Sequence, residues 1–157
     1  MEKRFLEQKA LVACNGGCRN TNCSYGCIGC GMCVAICPFG AISINKNGVA
    51  EVDEVLCRGC GACVIECPQG IIRLHEADAP IVVKCSNRDP GKVARGACQV
   101  SCIGCGICEK ACPSGAAKVA DNLSAIDEGL CLSCGMCAVK CPRHAIYDLR
   151  GILTERC

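Results

Sequence analysis

Apolar residues come in short bursts along this chain, separated by glycine, proline and charged positions. The segment "AISINKNGVAEVD" (41–53) alternates apolar and polar residues on either side of "NKNG", which predicts a β-hairpin. "AAKVADNLSAID" (116–127) repeats that pattern more weakly. Four further bursts predict short strands: "KALVAC" and "GIIRLH" in the first half, "PIVVKC" and "HAIYDL" in the second. Segments such as "CVAIC" and "CVIEC" suit a single helical turn, stopped by the proline that follows. No stretch approaches the roughly 18 apolar residues of a membrane span. The N-terminus is charged and has no long apolar signal region.

These elements are ordered by a repeat. "CIGCGMCVAICP" from Cys27, "CRGCGACVIECP" from Cys57, "CIGCGICEKACP" from Cys102 and "CLSCGMCAVKCP" from Cys131 all read C-x2-C-x2-C-x3-C-P. Cys27 and Cys102 are 75 residues apart and Cys57 and Cys131 are 74 apart, so a two-motif unit is duplicated. Between the copies, "HEADAP" and "CSNRDPGKVARG" read as a linker with turn chemistry. The expected organisation is α+β, two tandem cluster-organised ferredoxin-like modules, residues 1–79 and 80–157, with the boundary near Pro80.

Composition explains what such small elements would pack on. The 157 residues include 22 cysteines, no tryptophan, two phenylalanines and two tyrosines. Cysteine at this density means disulfides or bound metal. Without a secretory signal, the chain reads as a soluble protein of a reducing, cytoplasmic compartment, where thiols remain available to metal. Soft thiolates suit both zinc and iron–sulfur clusters. Zinc sites usually show paired C-x2-C units with longer spacers, whereas tandem triplets ending in C-x3-C-P point to [4Fe–4S] clusters. In that arrangement the fourth cysteine of each run serves the other cluster of its pair. The expected ligand sets are Cys27, Cys30, Cys33 and Cys67; Cys57, Cys60, Cys63 and Cys37; Cys102, Cys105, Cys108 and Cys141; and Cys131, Cys134, Cys137 and Cys112. Glycines flanking the second ligand let the backbone curl and aim N–H groups at sulfur. Ser133 replaces one of them, either as a tolerated small residue or with its hydroxyl turned to a sulfur.

Charge then changes meaning. The formal net charge is +2, but four clusters with thiolate ligands would take it to roughly −6. No basic run with interleaved aromatics suggests nucleic acid. Lys84, Arg88, Lys92 and Arg95 in the linker could face an acidic redox partner or simply solvent. Arg58 could raise the potential of its cluster or stay solvated. His75 is expected to be exposed, and His144 to be a surface residue rather than a ligand or proton carrier. No acid–base pair, nucleophile constellation or dinucleotide fingerprint appears, so no catalytic residue is expected. The reading is an electron-transfer protein passing single electrons through four clusters between protein partners. A self-contained redox enzyme and a zinc-bound adaptor are its competitors.

Sixteen cysteines fill four clusters, leaving Cys14, Cys18, Cys23, Cys85, Cys98 and Cys157. Cys23 lies four before Cys27 and Cys98 four before Cys102, while Cys14 ends "ALVAC" and Cys85 ends "IVVKC". Each module thus carries the same two extra cysteines. They are packing thiols, disulfides, or a fifth iron–sulfur site formed by Cys14, Cys23, Cys85 and Cys98, with Cys18 as an alternative ligand.

From about Leu11 to Asp148, the stretches "CSYGCIG…CVAICPFGAI" and "KCSNRDPGK…CQVSCIGCGICEKACP" resemble the polyferredoxin of the Rnf complexes, their B component. These complexes are ion-pumping ferredoxin:NAD oxidoreductases. The resemblance implies electron relay inside a larger oxidoreductase complex, and peripheral attachment to a membrane through partners rather than direct insertion. Three features depart from the family: no membrane anchor and further cluster domain come first, "CRNTN" compresses a usually longer segment, and Cys30 stands where the family often lacks cysteine. A soluble relative or an excised fragment is the corresponding expectation, without ion pumping.

Overall fold

The computed structural model describes residues 7–14 and 23–152. Cys18 and Cys157 lie outside the described residues. The elements follow in the order β1 (Gln8–Val12), α1 (Met32–Ile36), β2 (Ile42–Ile44), β3 (Ala50–Val52), α2 (Ala62–Glu66), β4 (Ile72–Glu76), β5 (Ile81–Val83), α3 (Gly91–Ala97), α4 (Ile107–Ala111), β6 (Ala117–Ala120), β7 (Leu123–Ile126), α5 (Met136–Lys140) and β8 (Ile146–Asp148). The strands form four two-stranded antiparallel sheets, β1–β4, β2–β3, β5–β8 and β6–β7. This is an α+β architecture of two similar halves, each with a hairpin at one end and a sheet joining its first and last strands at the other.

Local chemistry sets most of these elements. Each cysteine-run helix, α1, α2, α4 and α5, starts after a glycine at positive φ: Gly31 (76°), Gly61 (78°), Gly106 (75°) and Gly135 (73°). Each ends at the fourth cysteine of its run, whose extended backbone leads into proline. In the first hairpin, Asn45 Oδ1 accepts hydrogen bonds from the N–H groups of Asn47 (2.9 Å) and Val49 (3.2 Å). The second hairpin turns on Asp121 and Asn122, both at positive φ (51° and 64°), the geometry of a tight two-residue turn. The weaker sequence signal belongs to the longer hairpin, four pairs against three, because the turn closes directly on its strands.

The closing sheets also join the halves. Along β1, Ala10 and Val12 pack into the first core, while Leu11 faces the other way. Along β5, Ile81 and Val83 enter the second core, and Val82 turns outward to meet Leu11 and Tyr147 of β8. These strands are buried on both faces, which is why they read as unbroken apolar runs rather than alternating ones. Ser86 Oγ donates to Ala13 O (2.8 Å), and the Glu76 N–H donates to a Glu128 carboxylate oxygen (2.9 Å), adding polar ties across the junction. Tyr147 is the largest side chain in this contact, and Lys84 Nζ sits 5.6 Å from its ring centroid. Tyr147→Ala should therefore cost about 3 kcal/mol. Tyr147→Phe should cost no more than about 1.5 kcal/mol. Denaturant unfolding of both variants under anaerobic conditions measures the difference.

Two expectations are corrected. The linker contains a helix, α3, held by packing: Ala94 is fully buried, and Gly91 lies so close to the Ile103 carbonyl that a Cβ would stand 2.7 Å from its oxygen. His75 is buried rather than exposed, at 1% accessibility, opposite Lys9 in the β1–β4 register and 3.4 Å from Glu54. Lys84, too, is half-buried against Tyr147, whereas Arg88, Lys92 and Arg95 remain exposed. Among the described residues, no helix is long and apolar enough to cross a membrane.

Candidate iron–sulfur centres

Each cysteine run wraps the N-terminal end of its short helix. The third cysteine (Cys33, Cys63, Cys108, Cys137) lies in the first turn and is buried; the second (Cys30, Cys60, Cys105, Cys134) lies on the loop and is exposed. The fourth leaves the helix end in extended conformation and points across to the other run. In the first half this creates two pockets. One is lined by Cys27, Cys30, Cys33 and Cys67; the other by Cys57, Cys60, Cys63 and Cys37. In both, three cysteines of one run meet the last cysteine of the other.

The second half shows the same crossing electrostatically. Burial, then the hydroxyl of Ser124 and the neighbouring Cys102 and Cys141, set the Cys108 thiol, which is pushed up overall. Cys137 is pushed up to about 11, by burial first and then by Cys131, Cys112 and Cys108. Cys33 and Cys63 are raised in the same way, by burial and then by the other cysteines around them. Thiols that disfavour ionisation together favour a cation that neutralises them.

The surroundings fit a polynuclear iron–sulfur group. In the first half, the thiols of each set line one shared pocket. Backbone N–H groups aim at the sulfurs. Gly29 and Ala50 donate to Cys27 Sγ (both 3.5 Å), Ala10 to Cys57 (3.3 Å), Ala41 to Cys37 (3.4 Å), Ser124 to Cys102, Ala117 to Cys112, Ser133 to Cys131 and Ala145 to Cys141 (each 3.4 Å). Such donors stabilise negative sulfur and raise cluster potential. None of the described cysteines forms a disulfide.

Several residues take roles the sequence had left open or hidden. Ser133 adopts positive φ (56°) like the glycines it replaces, and it is its backbone N–H that reaches Cys131. Ser124 was not anticipated: its hydroxyl lies 3.1 Å from Cys108 Sγ, while the matching position of the first hairpin is Ala50. The 74-residue offset between the halves would have exposed that asymmetry. Ser114 similarly supports Cys112, whose thiol is lowered to about 7, chiefly by that hydroxyl and then by the Ala117 N–H. Arg58 is exposed, and so is His144, at positive φ (52°) in the corner after Cys141.

Comparison with known proteins agrees with this chemistry. Models of the 4Fe-4S dicluster domain match residues 26–71, 56–116 and 101–146, which together take in all four cysteine runs and imply four [4Fe–4S] clusters. The chain is 42% identical over 120 residues to the B component of the Na(+)-translocating ferredoxin:NAD(+) oxidoreductase complex of Acetobacterium woodii. That alignment covers 76% of this chain and 35% of the relative. It is 47% identical over 108 residues to the B component of the proton-translocating ferredoxin:NAD(+) oxidoreductase complex of Clostridium ljungdahlii, covering 69% of this chain and 38% of the relative. The chain thus spans little more than a third of either protein. Among solved structures, a chain of the formate dehydrogenase–heterodisulfide reductase–formylmethanofuran dehydrogenase complex from Methanospirillum hungatei overlaps 78% of this chain and 51% of its own length, at 23% identity and a TM-score of 0.30. That last likeness is loose.

Proposed function

The chain belongs to the 4Fe-4S dicluster family, and from that premise we propose that it relays single electrons between redox proteins as a subunit of a larger oxidoreductase complex. The observation that supports this most directly is the crossed pairing of thiols, Cys67 with the first triplet and Cys37 with the second. The sixteen run cysteines are the proposed ligands, in two modules, residues 1–79 and 80–157. Bound clusters supply reversible one-electron chemistry at potentials tuned by their surroundings.

The residues of the chain do the rest. Crossed fourth cysteines hold the two clusters of a module side by side. Each set presents one exposed cysteine, so each has an edge near the surface where an electron can arrive or leave. Exposed apolar residues flank those edges, Ile28 and Met32 at the first run, Leu132 and Met136 at the fourth. They suit the small apolar contact patches of transient redox partners. The Cys108 set, with the hydroxyl of Ser124 close by, has a donor its counterpart lacks, favouring a higher potential there.

The two relatives are parts of ion-translocating oxidoreductase complexes, which supports redox-protein partners and a cytoplasmic location peripheral to a membrane complex. Ion translocation is not part of the proposal.

Anaerobically isolated protein should show a broad visible absorption that bleaches with dithionite and returns on oxidation, with at least about sixteen irons per chain. Metal analysis giving zinc with no bleachable band would overturn the reading. Turnover of a substrate by the isolated chain, with no partner added, would replace relay by catalysis.

A further inference from the structure

We propose that Cys14, Cys23, Cys85 and Cys98 hold a fifth iron–sulfur cluster at the junction between the two modules. Two of these cysteines precede the first run and two precede the third, yet the fold gathers them in one place. The Cβ position of Gly26 lies 3.5 Å from Cys14 Sγ and 3.9 Å from Cys23 Cβ, which places both residues against one glycine. Asn87 then ties Cys23 to Cys85: its Nδ2 donates to Cys23 Sγ (3.4 Å) and its backbone N–H to Cys85 Sγ (3.4 Å). Cys98 stands four residues before Cys102, whose N–H donates to Cys85 Sγ (3.3 Å), just as Cys23 stands four before Cys27, and its thiol lies within reach of the charge of Cys23.

The surroundings are those of a ligand site rather than of packing. Asn87 is completely buried, and its Oδ1 accepts the Asp89 N–H (2.8 Å), which fixes the amide with Nδ2 toward the thiol. The bond from Asn87 N–H to Cys85 spans two residues, as do those from Gly29 to Cys27 and from Ser133 to Cys131 at the run cysteines. Cys85 Sγ accepts a second N–H, from Cys102 (3.3 Å). A thiol acting only as a small apolar filler has no need of two N–H donors. Cys98 is held from behind: Arg143 Nη2 donates to its carbonyl (2.6 Å), and Ser101 Oγ lies 3.1 Å from the same oxygen. Lys84 and Arg143 supply positive charge beside Cys14 and Cys98, offsetting four thiolates.

Four soft thiolates with N–H donors to their sulfurs, the pattern also present at the run cysteines, favour a cluster over a lone zinc ion. The location gives it a use. Cys23 lies four residues before the first run, and Cys85 accepts its second N–H from Cys102, the first cysteine of the third run. A centre there stands between the first and third thiol sets and would make two separate pairs one continuous path.

The site rests on the iron–sulfur reading of the sixteen run cysteines, and one experiment separates the two. The full chain is reconstituted anaerobically with ferrous iron and sulfide, as wild type and as the double variant Cys85→Ala, Cys98→Ala. Iron, sulfide and zinc are counted, and the native protein is treated with iodoacetamide and mapped by mass. Wild type should hold about twenty irons with all four junction thiols protected, and the variant about sixteen. Should the variant not fold, the wild-type count and protection map decide alone. About sixteen irons in wild type with the junction cysteines alkylated, or joined in disulfides, overturns the fifth cluster while leaving the relay intact. One zinc beside about sixteen irons overturns its iron–sulfur identity. Failure of the run cysteines themselves to retain iron overturns both readings together.

Discussion

Stripping the iron from the folded protein should unfold it rather than leave an empty scaffold. The described cores are made mainly of alanine, valine, isoleucine and cysteine, and the largest fully buried side chains are Ile81, Ile146, His75, Val82, Asn87 and Ser101. Four two-stranded sheets of three to five residue pairs supply the regular structure. Sheets of that size are marginal on their own in water, and small domains with thin cores usually need a metal or disulfides. The helices span five to seven residues, too short to persist alone. In the proposed ligand sets, bound iron would supply what is missing: each crossed set would link two runs about thirty residues apart, and the metal would offset the mutual repulsion and burial cost of converging thiols. Far-UV circular dichroism and amide exchange, recorded before and after chelation under reducing conditions, should show strand signal and protection lost together. An iron-free chain that keeps a native spectrum and melts cooperatively would show that the side-chain cores suffice.

The same dependence governs how much of the fold was legible beforehand. Hairpins, cysteine-run helices and closing strands were readable because each is written locally, in period-two alternation, positive-φ glycines and C–P stops. The duplication made the second half readable from the first. What lay hidden was non-local. Helix α3 has two glycines in seven residues and no strong propensity, and it exists because Ala94 and Gly91 fit against the third run. His75 occupies a position that alternation along β4 assigns to solvent, yet burial there is decided by neighbours from elsewhere in the chain, Glu54 among them. The grouping of the run cysteines around shared pockets in the first half could be read from spacing alone. Asn87 and Ser124 were not, because asparagine in a turn and serine in a strand look ordinary until the sulfur beside them is seen.

Gly59→Ala should abolish the first module, whereas Gly61→Ala, two residues away, should leave it folded. Both glycines have positive φ, 68° and 78°, so both substitutions carry the left-handed cost of roughly 1 kcal/mol. Their surroundings differ. A Cβ at Gly61 meets only the Leu74 Cδ1 at 3.8 Å, an ordinary contact. At Gly59 it would stand 2.3 Å from the Gln8 carbonyl oxygen and 2.9 Å from its carbon, and this obstacle is backbone that no rotamer change can clear. Strand β1 would have to retreat. Its retreat would break the Lys9 Nζ bond to the Cys57 carbonyl (2.7 Å) and the Ala10 N–H bond to Cys57 Sγ (3.3 Å), and loosen the five-pair register with β4. Because Cys57 and Cys67 belong to one run but to different thiol sets, both centres of the module would be lost, roughly half of the iron held by the run cysteines. Gly29→Ala should fall between the two, since its obstacle, the Gly48 carbonyl oxygen at 2.7 Å, sits on a hairpin turn with room to move. Ser133, a non-glycine residue at φ 56°, shows that the backbone conformation alone is tolerated at this place in the motif. Iron per chain and the thermal transition of the three variants should follow the order Gly59, Gly29, Gly61 from most to least damaged. Equal iron and equal melting for Gly59→Ala and Gly61→Ala would mean that β1 yields freely, and that its grip on Cys57 holds nothing in place.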